Sequence, residues 1–357
     1  MIEKDDLRAA VSAGAITEAQ AARILTLAAE RQGHLAATRP DEEPFELFKG
    51  FNEIFIVVGL VILAAGWVGV SAAIGWVDAG TGFFDVQGFV VTRSLIAAGI
   101  LWALSEYFIR RRRMVAPAIT LTIFWALNAA LGFTASYAQP FMVAQQDWSS
   151  TIFPLALASV ALLIYWLRFR VPFALALVAV GLFILMVVAL AVQAGDPGDL
   201  SDLFLLSAEG PFALGTLLFG VAVFAVAMWF DMSDPHRVTR RASNGFWLHI
   251  VAAPAIVNTI ALTLITSDAP GARGLLIAFL ALIALVAIVI DRRSFLIAAV
   301  GYVVALSTQL DEGMGIAMTI LILGVVLLLL GAFWERIRAA LMALLPFLPR
   351  GKLPPVG

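Results

Sequence analysis

Four polar side chains that can exchange protons or hydrogen bonds lie within long apolar segments of this 357-residue sequence: His249, Asn258, Asn128 and Glu106. The imidazole of His249 changes its charge near neutral pH, and the two amides both donate and accept hydrogen bonds. Inside a segment long enough to span a membrane a polar group is costly, so each of the four is a functional candidate. Together they are the predicted intramembrane polar site.

The spacing of these residues also leaves a structural role open for each of them. Asn258 follows His249 by nine residues, which at about 100° per residue places the two side chains on roughly opposite faces of one helix. They share a site only if Pro254 opens the helix between them. The alternative for both asparagines is a hydrogen bond between helices, worth about 0.6–2 kcal/mol. Glu106 lies about 20 Å along one helix from Arg93, so the two cannot pair, and both are close enough to a membrane surface to reach it.

Sequence motifs of catalytic and metal sites are absent. The chain contains no cysteine, which excludes disulfides, thiolate metal ligands and a cysteine nucleophile. Its three histidines are scattered, and there is no HExxH zinc motif, P-loop, GxSxG nucleophile or GxGxxG dinucleotide motif. No pair of intramembrane aspartates suggests an aspartyl protease. We therefore expect a protein that is not an enzyme and that holds no cofactor or metal.

The elements that must position the polar residues are apolar segments of membrane-spanning length. Apolar residues make up 62% of the chain and charged residues only 13%, against about 25% charged in soluble domains, so a soluble surface cannot be covered. A helix needs about 20 mostly apolar residues to cross about 30 Å of hydrocarbon. The sequence therefore predicts an all-α, polytopic transmembrane helix bundle of about ten spans. The predicted spans are Ile54–Trp76, Gly88–Ile109, Met114–Ser136, Ser149–Leu167, Val171–Ala194, Pro211–Phe230, Ala242–Ser267, Gly274–Ile290, Ser294–Gln309 and Gly313–Trp334.

Basic residues predict the orientation of these spans. With ten spans, 21 of the 23 Lys and Arg residues fall in the termini and in the loops of one side, and only Arg93 and Arg273 fall on the other. Because loops rich in Lys and Arg stay in the cytoplasm, both termini are expected there. Without the ninth and shortest span, Ser294–Gln309, the basic tail would lie outside. The charge pattern therefore supports that span as well.

The N-terminal part of the chain is polar and is expected to be cytoplasmic. Residues 1–34 predict a helical hairpin, because Gly14 is placed to end a first helix and Thr17 with Gln20 forms a capping box at the start of the second. Residues 35–53 predict an acidic linker broken by prolines.

The membrane domain is predicted to occupy residues 54–334, and a different pattern follows it in residues 335–357. Within Glu335–Leu345, apolar residues recur at helical spacing beside Arg336 and Arg338. This pattern predicts an amphipathic helix lying on the inner leaflet, followed by a disordered proline-rich tail.

The head of the chain also resembles a known family. The stretch Ala10–Ala21, which contains Gly14-Ala15-Ile16-Thr17 and ends in Gln20-Ala21, resembles the helical opening of a bacterial membrane-protein family, catalogued as domain of unknown function 2157. A glycine-rich first span follows in that family, and here it runs from Gly59 to Trp67. Three further stretches are similar to related proteobacterial sequences: Phe51–Phe55, Phe246–His249 and Trp334–Arg338. The resemblance implies a location in the bacterial inner membrane, and it implies no reaction, ligand or site residue.

The scarcity of polar groups within the spans bears on function. Ionic substrates need polar ligands near the middle of the membrane, and few are present here. Ten spans with both termini in the cytoplasm can arise from two five-span halves of inverted topology, as in several transporter folds, which favours a transporter or permease. Since few polar groups are present, its expected substrate is an apolar or weakly polar small molecule. The alternative, which the scarcity of polar groups favours, is a non-transporting scaffold or regulatory protein that acts through its N-terminal cytoplasmic helices.

The expected partners follow from the same patterns. The lipid bilayer is the first, and nucleic acid is not expected. A homo-oligomer is predicted to form through the N-terminal hairpin or through a stripe of small residues on the eighth span, where close helix approach is favoured. This stripe consists of Ala278, Ala281, Ala284 and Ala287.

Overall fold

The computed structural model describes residues 52–79, 85–235, 240–292 and 314–346, together with a few isolated residues near the two termini. Within these ranges the chain is all-helical, and eight helices are long and apolar enough to cross a membrane. The prediction of a multi-span, α-helical membrane protein is therefore confirmed at this level. Most of the predicted N-terminal hairpin and linker lies outside the described residues. The chain divides into two compact units, Met1–Glu43 and Pro44–Gly357.

The eight membrane-length helices coincide in order with the first eight predicted spans. A π-helical segment, Glu106–Arg111, continues the second helix, and a 3-10 turn, Ser149–Thr151, precedes the fourth. Short helical segments occur in two connections, at Met142–Gln145 and Leu200–Leu203. The helices are α1 (Asn52–Ala79), α2 (Val86–Ser105), α3 (Ala116–Tyr137), α4 (Ile152–Phe169), α5 (Pro172–Ala194), α6 (Phe212–Ser233), α7 (Arg240–Ile265) and α8 (Ala272–Val289).

The last described helix, α9 (Met314–Leu344), covers the predicted tenth span and most of the predicted surface helix. Its backbone leaves helical geometry at Phe333 (φ −116°, ψ 19°), one residue before the predicted end of the span. At this point Trp334 Nε1 donates a hydrogen bond to Asp291 Oδ1 (2.7 Å), which connects α9 to the end of α8. The predicted ninth span, Ser294–Gln309, lies outside the described residues. A total of ten spans and a helix on the inner leaflet therefore stay predictions.

Local sequence explains the tight connection between α4 and α5. Arg170 adopts a left-handed conformation (φ 51°) after the last residue of α4, and its backbone N–H donates to the Trp166 carbonyl oxygen (2.8 Å). Such a residue commonly ends a helix. Pro172 is the first residue of α5, where its fixed φ and missing N–H are tolerated. α4 and α5 therefore pack as the hairpin that the sequence predicts.

Apolar clusters connect the helices in sequence order. One joins α1, α3, α4 and α5 around the buried Tyr165 and Phe169. A second joins α5, α6 and α7 through small residues such as Ala227 and Ala252, and a third joins α7 to α8. α5 contributes to the first two clusters and therefore links the two halves of the described bundle.

The small-residue stripe of α8 is only partly used within the chain. Ala287 is fully buried and Ala284 is half-buried, whereas Ala278 and Ala281 are exposed. The predicted homo-oligomer through this stripe stays a prediction.

Candidate functional site

A large apolar cavity lies between α1, α2 and α3. Its volume is about 680 Å³, within the range of about 300–1,000 Å³ that is typical of small-molecule sites. Leucine, valine, alanine and aromatic side chains form most of its lining. The two polar residues of the lining are Arg93 from α2 and Asn128 from α3.

The two polar side chains of the lining lie at the same end of the cavity. Arg93 Nη1 donates to Ser71 Oγ (3.3 Å), so it connects α2 to α1. Asn128 Nδ2 donates to the carbonyl oxygen of Ser94 (3.0 Å), the residue after Arg93 in α2. Asn128 thus makes a hydrogen bond between helices and also lines the cavity.

The opposite end of the cavity borders on the first apolar cluster. Leu60 and Leu121 belong both to the cavity lining and to this cluster. The buried Tyr165 hydroxyl is hydrogen-bonded to Ser105 Oγ (2.7 Å), which fixes α4 against α2. Four aromatic rings pack in the same cluster with centroids 4.5–6.3 Å apart: Trp102, Trp125, Tyr165 and Phe169. The cavity is therefore polar at one end and apolar along the rest of its length.

His249 belongs to a different arrangement, a buried ion cluster between α6, α7 and the end of α8. Its Nε2 lies 2.9 Å from Asp231 Oδ2, and the imidazole is 0% exposed. Arg292 donates from Nε to the same carboxylate oxygen (2.9 Å) and from Nη2 to Asp231 Oδ1. A further Arg292 hydrogen bond reaches the Ala242 carbonyl oxygen (2.8 Å). One carboxylate therefore joins three segments of the chain through an imidazole and a guanidinium.

Glycine makes this close approach possible. A Cβ atom at Gly245 would overlap the Asp231 carboxylate and would lie 3.1 Å from the Ala227 carbonyl oxygen. The ring of Phe224 also packs against His249, with the centroids 5.4 Å apart. Because protein atoms enclose the cluster on all of these sides, its geometry suits a cross-link between helices rather than a ligand site.

Sequence reasoning singled out His249 but missed both of its charged neighbours in this cluster. Asp231 lies one residue beyond the predicted end of the sixth span at Phe230, and Arg292 falls between the predicted eighth and ninth spans, on the side rich in basic residues. The available signal was an acid at the end of one span and a histidine in the next. Neighbouring antiparallel spans bring such positions together, so an acid–histidine pair was within reach of the sequence.

The remaining predicted residues, Glu106 and Asn258, lie apart from these groups. Glu106 forms ion pairs with Arg110 (3.0 Å) and Arg168 (2.6 Å) at the junction of α2 and the π-helical segment. It is about 18 Å along the helix from Ser94, the partner of Asn128. Asn258 is half-buried, about 14 Å along α7 from His249. Glu106 is therefore too far from Asn128, and Asn258 too far from His249, for either pair to share a site. The functional roles of all four residues stay predictions.

One further buried carboxylate was not anticipated. Glu53, in the first turn of α1, is 3% exposed, and its Oε2 accepts a hydrogen bond from the backbone N–H of Ala116 (3.0 Å). Ala116 is the first residue of α3, so the carboxylate lies at the positive end of that helix. This contact anchors the start of α1, the helix that forms one wall of the cavity.

The comparisons with known proteins add no relative. No family model matches the chain, and no curated protein or solved structure is significantly similar to it. The resemblance of the N-terminal residues to the uncharacterised bacterial family therefore stays a prediction. Among the residues that the structure describes, no three His, Asp or Glu side chains cluster in a way that could hold a metal ion.

Proposed function

We propose that this integral membrane protein is a transporter or permease that binds an apolar or weakly polar small molecule in the cavity between α1, α2 and α3. The observation that carries the proposal is the cavity itself, with a volume of about 680 Å³ and a lining that is apolar except at one end. An apolar lining binds an apolar solute favourably, and the few polar groups fix its orientation.

The packing of α1 supports a way into the cavity. The described side chains of α1 are mostly exposed, and Leu60 is its only large apolar side chain that is buried within the described part of the chain. An element with few buried contacts moves at low free-energy cost. In the proposed mechanism α1 moves away from α2 and α3, admits the solute from the membrane, and closes over it.

A bulky substitution inside the cavity tests this function. Ala97 lines the cavity from α2 and is 8% exposed, whereas Ala103 of the same helix is exposed on another face. We expect Ala97→Phe to fill the cavity and abolish transport, and Ala103→Phe, the matched control, to leave transport intact. The measurement is a growth screen of a gene-deletion strain across lipophilic compounds, complemented with the wild-type or variant gene. Full complementation by Ala97→Phe, at normal protein levels, would contradict the proposed function.

A scaffold or regulatory role is the second candidate. It is favoured by the division of the chain, in which residues Met1–Glu43 form a compact unit of their own. In this case deletion of residues 1–35 abolishes the phenotype of the gene while the protein still inserts into the membrane. If the truncated protein complements as well as the wild type, the N-terminal unit is not the functional part.

A further inference from the structure

The polar end of the cavity contains a positive charge that no described residue neutralises. Arg93 donates to the hydroxyl of Ser71, which is uncharged, and no carboxylate pairs with it among the residues that the structure describes. By contrast, Arg292 in the ion cluster at α6–α8 is paired with Asp231. The Arg93 side chain is half-buried, and a partly buried guanidinium without a counter-anion leaves this site electrostatically incomplete.

The cavity extends from this charge along the length of α2. From Arg93 to Leu104, the last lining residue of α2, the helix rises by about 16 Å. Among the described residues of the lining, Arg93 is the only one with a charged side chain. The shape and charge of the cavity therefore match a molecule with one acidic head and one long apolar tail.

We propose that the ligand of this cavity is a single-chain amphiphile with a carboxylate head, such as a long-chain fatty acid. This inference rests on the proposed function and adds an acidic group to its otherwise apolar ligand. The Arg93 guanidinium binds the carboxylate through its planar donors, and Asn128 contributes its amide beside it. The tail lies between α1, α2 and α3 and ends near Leu60, Leu104 and Leu121.

Photo-crosslinking of full-length protein in phosphatidylcholine bilayers tests this inference. The probe is hexadecanoic acid with a diazirine at the end of its tail, used at alkaline pH so that the acid is ionised. The matched probe is hexadecanol with the same diazirine. We expect the acid to label the apolar end of the cavity, as mapped by mass spectrometry, and unlabelled hexadecanoate to compete.

Variants at Arg93 separate the role of its charge from the role of the cavity. Arg93→Gln is expected to weaken labelling by the acid roughly 10- to 100-fold, the loss expected for one hydrogen bond to a charged group. Labelling by the alcohol should not change, and Arg93→Lys should keep most of the labelling by the acid. Ala97→Phe should remove labelling by both probes, and Ala103→Phe should remove neither.

The possible failures of the two proposals differ. If Arg93→Gln leaves labelling by the acid unchanged while Ala97→Phe still removes it, the carboxylate inference is wrong and the proposed function stands. If neither probe labels the cavity in the wild type, both proposals are wrong. If Ala97→Phe leaves labelling by both probes unchanged, the probes bind outside the cavity, and both proposals are wrong.

Discussion

Burial decides how much each carboxylate contributes to the stability of this protein. The Asp231 side chain is 7% exposed and lies between a guanidinium and an imidazole, whereas the Glu106 side chain is 32% exposed beside two arginines. Solvent can screen the exposed charges around Glu106, and it cannot reach the buried charges around Asp231. Neutralising Asp231 should therefore lower the free energy of unfolding strongly, and neutralising Glu106 should lower it only slightly.

We predict that Asp231→Asn strongly destabilises the protein. The substitution keeps the shape of the side chain but leaves Arg292 buried without its counter-charge, which costs about 3–5 kcal/mol. The measurement is the free energy of unfolding of the purified protein in detergent. Asp268→Asn in an exposed loop is the matched control and should change it by less than about 0.5 kcal/mol.

The same pair of charges gives a second expected result. Arg292→Gln alone is also destabilising, but the double variant with Asp231→Asn should be more stable than the sum of the two single effects predicts, because no charge is then left unpaired. Additive effects in this double-mutant cycle would show that the two side chains do not interact as the structure has them.

For Glu106→Gln we predict a loss of only about 0–1 kcal/mol, the usual value of an exposed ion pair. High salt should reduce this difference further. A loss as large as that of Asp231→Asn, measured in the same unfolding experiment, would mean that Glu106 is enclosed in the membrane and not exposed.

At the scale of helices, small residues determine how closely α6 and α7 approach. A Cβ atom at Gly220 of α6 would lie 2.8 Å from the Ala255 Cβ of α7 and 3.3 Å from the Ala255 backbone carbon. Backbone cannot move aside as a side chain can, so the glycine is required at this crossing. Membrane helices generally use small residues to gain such close packing.

We predict that Gly220→Ala destabilises the protein by about 1–3 kcal/mol, the usual cost of overpacking. Gly274→Ala on α8 is the matched control, because a Cβ there meets no atom within 4 Å. The control should be neutral or stabilising by up to about 1 kcal/mol, since alanine favours helix more than glycine does. Equal stability of the two variants would argue against the close approach of α6 and α7.

At the scale of the whole molecule, the distribution of charge predicts how the bundle lies in the membrane. The natural chain contains no cysteine, so single cysteines can be introduced without removing any. Ser201, between α5 and α6, and Arg111, at the end of the π-helical segment, are both exposed and are predicted to lie on opposite sides.

We predict that a membrane-impermeant maleimide labels Ser201→Cys in intact cells and labels Arg111→Cys only after permeabilisation. The same experiment tests the ninth span, because Asp311→Cys should be labelled from outside and Gly351→Cys only from inside. The reverse result for the last pair would mean that Ser294–Gln309 does not cross the membrane.

The sequence by itself determined the class of the protein and the positions of eight helices of membrane-spanning length. Hydropathy is sufficient for this, because the thickness of the bilayer sets the length of each apolar segment and its backbone must bond within itself. The sequence also identified the few polar residues within the spans, including His249 and Asn128. It did not show what they contact, and the tertiary structure alone decided this.

Those contacts depend on how each helix is rotated and shifted against its neighbours, which hydropathy does not encode. Asp231 meets His249 across 18 residues and Arg292 across 61. In the same way, Arg93 contacts Ser71 across 22 residues, and Asn128 binds Ser94, the residue next to Arg93. These contacts place the polar groups together at one end of an apolar cavity. The side-chain packing of α1, α2 and α3 thus created the site on which the proposed function depends.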